Sequence, residues 1–200
     1  MKNVVIFGAT GFTGQNVVST ALELGLKVRV FVRDPARLAE DLRSQVEVVQ
    51  GDVLQPEEVE KAVVGQDAVV VTLGTRNDLA ATTMMSDGLK NILAAMKKNN
   101  VKSFLFFETD KVPPRFIPLT EDHRRMSNAL KASTDIDWIA VYPPHIADTP
   151  GSDGGYTVSH ETEPSSTFRG RLVSVKDLAH FLVKSLSMAE HYKQVCGIAT

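Results

Sequence analysis

The chain has 200 residues, 43% of them hydrophobic, and a formal net charge of −2. That length suits one domain able to bury its own core, and the charge balance sets up no strong field toward nucleic acid or an anionic membrane. Cys196 is the single cysteine, so an internal disulfide is excluded; with neither a leader-like start nor an apolar run of about 18 residues, the sequence predicts a cytoplasmic globular protein.

Strands and helices alternate along the chain. Lys2–Phe7 reads as a strand buried on both faces, and Gln15–Leu24 as a helix with Val17, Val18, Ala21 and Leu22 on one stripe before the stop at Gly25. Lys27–Val32 is a second strand. Asp34-Pro35 opens the next helix, with Asp34 as N-cap and Pro35 at the first helical position. Val46–Gln50 is a third strand, Pro56–Val64 a short helix, and Asp67–Leu73 a fourth and very apolar strand. Thr82–Lys98 is the longest helix, with Met85, Leu89, Ile92, Leu93 and Met96 inward. Val101–Phe107, helix Leu119–Ala132, strand Asp137–Tyr142, helix Ser174–Met188 and strand Tyr192–Ala199 complete the pattern. The Gly-, Ser- and Asp-rich stretch after Pro143-Pro144 is predicted to be a loop, too short for a second domain, that forms a flap over the site.

Repeated strand–helix units imply a parallel sheet covered on both faces. The expected fold is therefore a single α/β domain over residues 1–200, doubly wound and Rossmann-like, with strand order 3-2-1-4-5-6. Ligands then sit at the carboxyl ends of the strands, around the switch between strands 1 and 4, with the substrate pocket at strands 4–6.

The run Gly8-Ala9-Thr10-Gly11-Phe12-Thr13-Gly14 follows the first strand and opens a helix. The first glycine permits the turn, the second lets backbone approach a pyrophosphate, and the third lets helix and strand pack closely. Backbone N–H groups from Thr10 to Gly14 then face the anion. At the end of strand 2 a carboxylate selects a ribose hydroxyl and an arginine selects a 2′-phosphate. Asp34 is already explained as a cap, so Arg33, with Arg37 one turn on, predicts NADPH/NADP+; Arg37 reads equally as a solvated surface residue. Asp52, beside Val53, either accepts from the adenine amine or caps the turn before Pro56. Gly74, in Leu73-Gly74-Thr75-Arg76, lets backbone approach the middle of the cofactor, whereas Arg76 either touches phosphate, closes over the pocket or points to solvent.

The glycine run is similar to that of the atypical short-chain dehydrogenases. Longer strings resemble the biliverdin-IXβ reductase (NADPH flavin reductase) family, nearly throughout the chain and in order: Val32-Arg33-Asp34, Gly51-Asp52-Val53-Leu54-Gln55, Gly65-Gln66-Asp67-Ala68-Val69, Gly74-Thr75-Arg76-Asn77-Asp78-Leu79, Lys111-Val112-Pro113-Pro114-Arg115, Asp122-His123 with Met126, and Pro143-Pro144-His145-Ile146. The resemblance implies a monomeric enzyme that passes hydride from NADPH to free flavins and to biliverdin isomers other than IXα. It places Pro144, His145 and Ile146 at the pocket, where His145 either orients or protonates substrate or is a structural histidine at a turn.

Alcohol and ketone dehydrogenases of this superfamily deliver a proton through a Tyr-x-x-x-Lys pair. Here Tyr142, Tyr156 and Tyr192 are followed four residues later by Ile146, His160 and Cys196, so the pair is absent. That suits a conjugated acceptor whose proton comes from water, with catalysis resting on positioning. His123 falls where the pair would sit and is expected at the surface; the other histidines show no spacing that suggests a metal site. Phe104, Phe106 and Phe107 are expected mostly in the core.

One segment departs from the family. By letters, Ser103–Glu108 resembles the family's pocket loop, which would delete the fifth strand and put Ser103 at the site. By physics, the sheet needs a central strand, because a gap there leaves buried backbone groups of its neighbours unpaired. The strand reading over Lys102–Phe107 is favoured, and it puts Thr109 near the site.

Overall fold

A computed structural model describes residues 1–75, 78–107, 117–160 and 171–200. The first strand, β1 (Asn3–Phe7), shows the logic of the fold. Val4 and Ile6 point into one core and Val5 and Phe7 into another, because successive side chains leave opposite faces and both faces are covered. The same alternation places Val28 and Val30 of β2 (Lys27–Val32) opposite Phe31, and Ala68 and Val70 of β4 (Ala68–Val71) opposite Val69 and Val71.

The main sheet has eight strands. It adds β3 (Glu47–Gln50), β5 (Ser103–Phe107), β6 (Asp137–Tyr142), β8 (Thr157–His160) and β10 (Gln194–Ala199), in the order β3-β2-β1-β4-β5-β6-β10-β8. Every pairing is parallel except that of β10 with β8. A second, two-stranded sheet joins β7 (His145–Ala147) to β9 (Leu172–Ser174).

Among the described residues there are six α-helices: α1 (Phe12–Glu23), α2 (Glu40–Arg43), α3 (Pro56–Val63), α4 (Met84–Lys98), α5 (Ile117–Lys131) and α6 (Val175–Lys184). α3, α4 and α5 bury Val59, Leu89, Ile92 and Met126 with Val5, Phe7 and Phe104 on one face; α1 and α6 bury Val17, Ala21, Leu178 and Leu182 with Val4 and Ile6 on the other. None of the described helices is long and apolar enough to cross a membrane.

The six-strand order read from the sequence is present, extended by β10 and β8. β5 settles the ambiguous segment: it pairs with both β4 and β6 over Ser103–Phe107. Ser103 lies opposite Ala68 and Asp137, at the amino end of the strand, so it cannot reach the carboxyl-end site that the loop alternative required.

Three expectations change. Asp34 does cap, its Oδ1 accepting from the Ala36 N–H at 3.0 Å, but it starts only a 3-10 turn, Pro35–Arg37. Extended backbone at Leu38 breaks that turn, and the helix resumes over just Glu40–Arg43. The stretch after Tyr142 contains β7 and β8 rather than loop alone, because β10 would otherwise be an open edge. The stretch expected to form a flap runs on into residues 161–170, which lie outside the described residues; what is described is the part before them. It is anchored on α6, where the Ser152 N–H donates to Asp177 Oδ1 at 2.8 Å and Tyr156 Oη pairs with His180 Nδ1 at 2.9 Å.

His123 is buried, only 8% exposed, and not at the surface. It shares the i, i+3, i+7 stripe of Met126 and Leu130, the face that α5 turns to the core. Burial lowers its pKa, and its Nδ1 has no hydrogen-bond partner among the described residues.

The start of α4 is capped from another helix. Thr83 at the N-cap makes no side-chain cap bond. Instead Asp122 of α5, fully buried, accepts from the Met85 and Ser86 N–H groups at 3.0 and 3.3 Å. Arg125 holds the same carboxylate at 3.1 Å and donates to Thr82 O at 2.6 Å. Removing this carboxylate orphans two buried donors, so Asp122→Ala is expected to cost about 2–3 kcal/mol, read as a lower urea midpoint with unchanged slope.

Candidate functional site

The turn between β1 and α1 is built by two close approaches. Gly8 has φ +86°, and a Cβ there would lie 2.4 Å from Thr72 O at the end of β4. A Cβ on Gly14 would lie 2.2 Å from Gly8 O. Only bare backbone lets the first turn of α1 settle onto the sheet where β1 and β4 end.

Gly11 differs. Its nearest neighbour to a would-be Cβ is Gly8 O at 3.4 Å, ordinary contact, and its backbone is extended. The fold itself has room for a side chain there, so the space at Gly11 is available to a ligand. Gly11 is also the N-cap of α1, with no side-chain cap and no acidic residue in the first turn. The first intrahelical bond runs from the Gln15 N–H to Gly11 O, which leaves the N–H groups of Phe12, Thr13 and Gly14 without helical partners. Unneutralised donors at the positive end of a helix form an anion cradle.

That cradle opens into a cavity of about 230 Å³ at the carboxyl ends of β1, β2 and β4. Gly8, Thr10, Gly11, Phe12, Thr13 and Gly14 line one side; Arg33, Asp52, Val53, Leu73 and Gly74 line the rest. A second hollow adjoins it, sharing Arg33, Gly74 and Met84 and adding Arg37 and Thr75. Arg33 and Arg37 are both exposed and form no ion pair among the described residues. Two such guanidiniums at the end of β2 make this hollow a place for a second anion.

Asp52 serves the turn while facing the cavity: its Oδ1 accepts from the Leu54 N–H at 3.0 Å. Its own N–H donates to Glu58 Oε2 at 2.8 Å. The structure brings together most of the residues singled out from the sequence. Pro144, His145 and Ile146 do not line this cavity; His145 is exposed at the start of β7, and Ile146 packs toward the α1–α6 core. Thr109 and Arg76 lie outside the described residues, as does Lys111–Arg115.

Five lining residues are not among the predicted site residues: Phe31, Val32, Gly51, Thr72 and Met84. Phe31 stacks on Phe7 at 5.1 Å, and a Cβ on Gly51 would press its ring at 2.7 Å. The Gly51-Asp52 pair is thus a signal for a ring beside the turn. Met84 is the first residue of α4, whose position depends on the cap from Asp122.

Among the described residues no tyrosine lines the cavity. Tyr142 is buried with its hydroxyl 3.2 Å from Ser127 Oγ, Tyr156 pairs with His180, and the Tyr192 hydroxyl donates to Leu186 O at 3.0 Å.

Comparison with known proteins agrees with this geometry. A family model described as NAD(P)H-binding matches residues 8–189. A Rossmann-fold NAD(P)-binding family protein from Shigella flexneri superposes with TM-score 0.79 at 27% identity, covering 100% of this chain and 94% of that one. A Streptococcus pneumoniae protein provisionally assigned as an NADH-flavin reductase gives TM-score 0.79 at 19% identity, covering 100% and 99%. The photosystem II assembly factor Ycf39 of Trieres chinensis is 34% identical over 123 residues, 60% of this chain and 38% of that protein. The chain spans about a third of the length of the curated relatives it matches.

The contrast between two glycines gives a test. Gly14→Ala should destabilise the ligand-free protein by about 1–3 kcal/mol or more, as overpacking does. Gly11→Ala should leave the thermal midpoint of the ligand-free protein nearly unchanged yet weaken NADPH binding at least about tenfold by calorimetry, through loss of close backbone approach.

Proposed function

The chain belongs to the NAD(P)H-binding family, and we propose that it is an NADPH-dependent reductase acting on flat conjugated acceptors. Free flavins are the first choice, with biliverdin isomers such as IXβ as further acceptors. The observation that carries the cofactor part of this reading is the open anion cradle beside two arginines outside any described ion pair; the conjugated-acceptor part rests on the lack of a Tyr-x-x-x-Lys pair in the sequence. Support also comes from the family resemblance of the sequence and from the name given to the Streptococcus pneumoniae fold neighbour.

In this reading the N–H groups of Phe12, Thr13 and Gly14 hold the pyrophosphate, and Arg33 with Arg37 holds the adenosine 2′-phosphate. Asp52, whose Oδ1 is engaged by the Leu54 N–H, would accept from the adenine amine. Gly74 and Thr75 let backbone pass close to the middle of the dinucleotide. When bound, the dihydronicotinamide supplies the hydride. The acceptor takes that hydride and one proton from water, so no side chain must hold a proton in reserve; the chain's contribution is alignment. His145 and Thr109 are the residues assigned to the acceptor side, and the protein acts as a monomer.

A second reading has its own support: three of the matched curated relatives are named photosystem II assembly factors, which suggests a dinucleotide-binding regulator without turnover. NADPH oxidation with added flavin mononucleotide separates the two, and a parallel quinone assay distinguishes acceptors. Steady turnover with flavin is expected; tight NADPH binding with none would favour the regulator. Arg33→Ala should weaken NADPH by about ten- to hundredfold, the worth of one charge-assisted bond, while leaving NADH nearly unchanged. His145→Ala should lower turnover by far less than about 10⁴-fold, since general acid catalysis is not required.

A further inference from the structure

Away from the dinucleotide cavity, at the β10–β8 edge of the sheet, three metal-ligating side chains converge. His160 ends β8, His191 sits in a 3-10 turn at Ala189–His191, and Cys196 lies in β10. Antiparallel pairing puts Cys196 directly opposite His160, and the turn before β10 swings His191 back onto both. His160 Nε2 is 2.9 Å from His191 Nδ1, Cys196 Sγ is 3.9 Å from the same Nδ1, and all three ligand atoms lie within 4.8 Å of one another. The imidazole planes stand at 87° with centroids 5.2 Å apart.

We propose that His160, His191 and Cys196 bind a borderline-soft divalent cation of the zinc class, with water in the fourth position. The distances decide between this and a simple hydrogen bond. A tetrahedral ion with ordinary Zn–N and Zn–S lengths needs its two nitrogens about 3.3 Å apart and each about 3.6 Å from sulfur. Both separations from His191 Nδ1 match these to within about half an ångström. The remaining pair, His160 with Cys196, lies within 4.8 Å, so at most about 1.2 Å of closure is needed, which a rotation of the exposed His160 ring can supply. A hydrogen-bonded histidine pair, by contrast, needs no third partner, yet the thiol is aimed at the nitrogen already engaged by His160. Two imidazoles and a thiol form a donor set that favours zinc over hard cations. His160 is exposed and gives the ion an entry path, while His191 and Cys196 are buried and Phe181 meets His191 edge-on with centroids 5.3 Å apart.

Binding balances as follows. The thiol proton leaves to solvent as the metal–sulfur bond forms. The proton shared between the two imidazoles moves to the outward nitrogen of its ring, leaving both facing nitrogens as lone-pair donors. The ion would then clasp the edge strand β8 to β10 from a third element, the turn at His191.

The test uses the full chain, stripped of metal and titrated with Co²⁺ and then Zn²⁺. One Co²⁺ per chain is expected, with a near-ultraviolet thiolate-to-metal absorption and tetrahedral visible bands, both erased when Zn²⁺ displaces it. Cys196→Ser should lose the thiolate absorption. His160→Ala, at an exposed position and checked for native circular dichroism, should weaken Zn²⁺ at least about tenfold, since even outer-sphere partners of a metal site are worth about 10–100-fold. Wild-type protein that shows no thiolate absorption with Co²⁺, or that binds Zn²⁺ no more tightly than His160→Ala, would overturn the proposal.

Discussion

The close approach of Gly8 to both Thr72 and the first turn of α1 is the constraint on which the site depends. It joins three pieces of chain at one point: the end of β1, the end of β4 and the start of α1. Side chains at Gly8 or Gly14 would drive a Cβ into a backbone oxygen at 2.2–2.4 Å, where no rotamer change relieves the clash. With them absent, the α1 N-terminus is pinned over the sheet with its donors turned into the cavity. The strain of a left-handed residue is met by the one residue type that tolerates it.

Electrostatics then follow from what surrounds that point. The chain as a whole is slightly acidic, yet α1 has no carboxylate in its first turn and Arg33 and Arg37 stand outside every ion pair among the described residues. Arg29, by contrast, lies on Glu47 at 3.0 Å, and Arg125 on Asp122. Leaving two guanidiniums beside a helix N-terminus concentrates positive potential at the mouth of one cavity. A polyanionic dinucleotide is attracted there without a basic surface overall.

What the sequence reveals is whatever local periodicity encodes. Doubly buried strands such as Val4–Phe7 and Ala68–Val71 announce themselves as apolar runs, and the glycine spacing marks the turn. The second helix falls short because a good cap at Asp34 marks where a helix can start, not how far it runs, and extended backbone at Leu38 stops it. His123 is misplaced by sequence because its polar chemistry outweighs its stripe with Met126 and Leu130. The His160–His191–Cys196 cluster has no recognisable sequence spacing. It exists through the β8–β10 register and a turn, both set by tertiary pairing.

The absence of a Tyr-x-x-x-Lys pair from the sequence bears on which reactions the proposed reductase can run. Hydride delivered to an isolated carbonyl leaves a strongly basic alkoxide, and a positioned acid must meet it. Delivered to a flavin or a linear tetrapyrrole, the negative charge spreads over a conjugated system and water is acid enough. Losing the tyrosine thus removes one reaction class while costing the other little. Tyr142 is instead buried against Ser127 at 3.2 Å, and the Tyr156 and Tyr192 hydroxyls pair with His180 and Leu186 O.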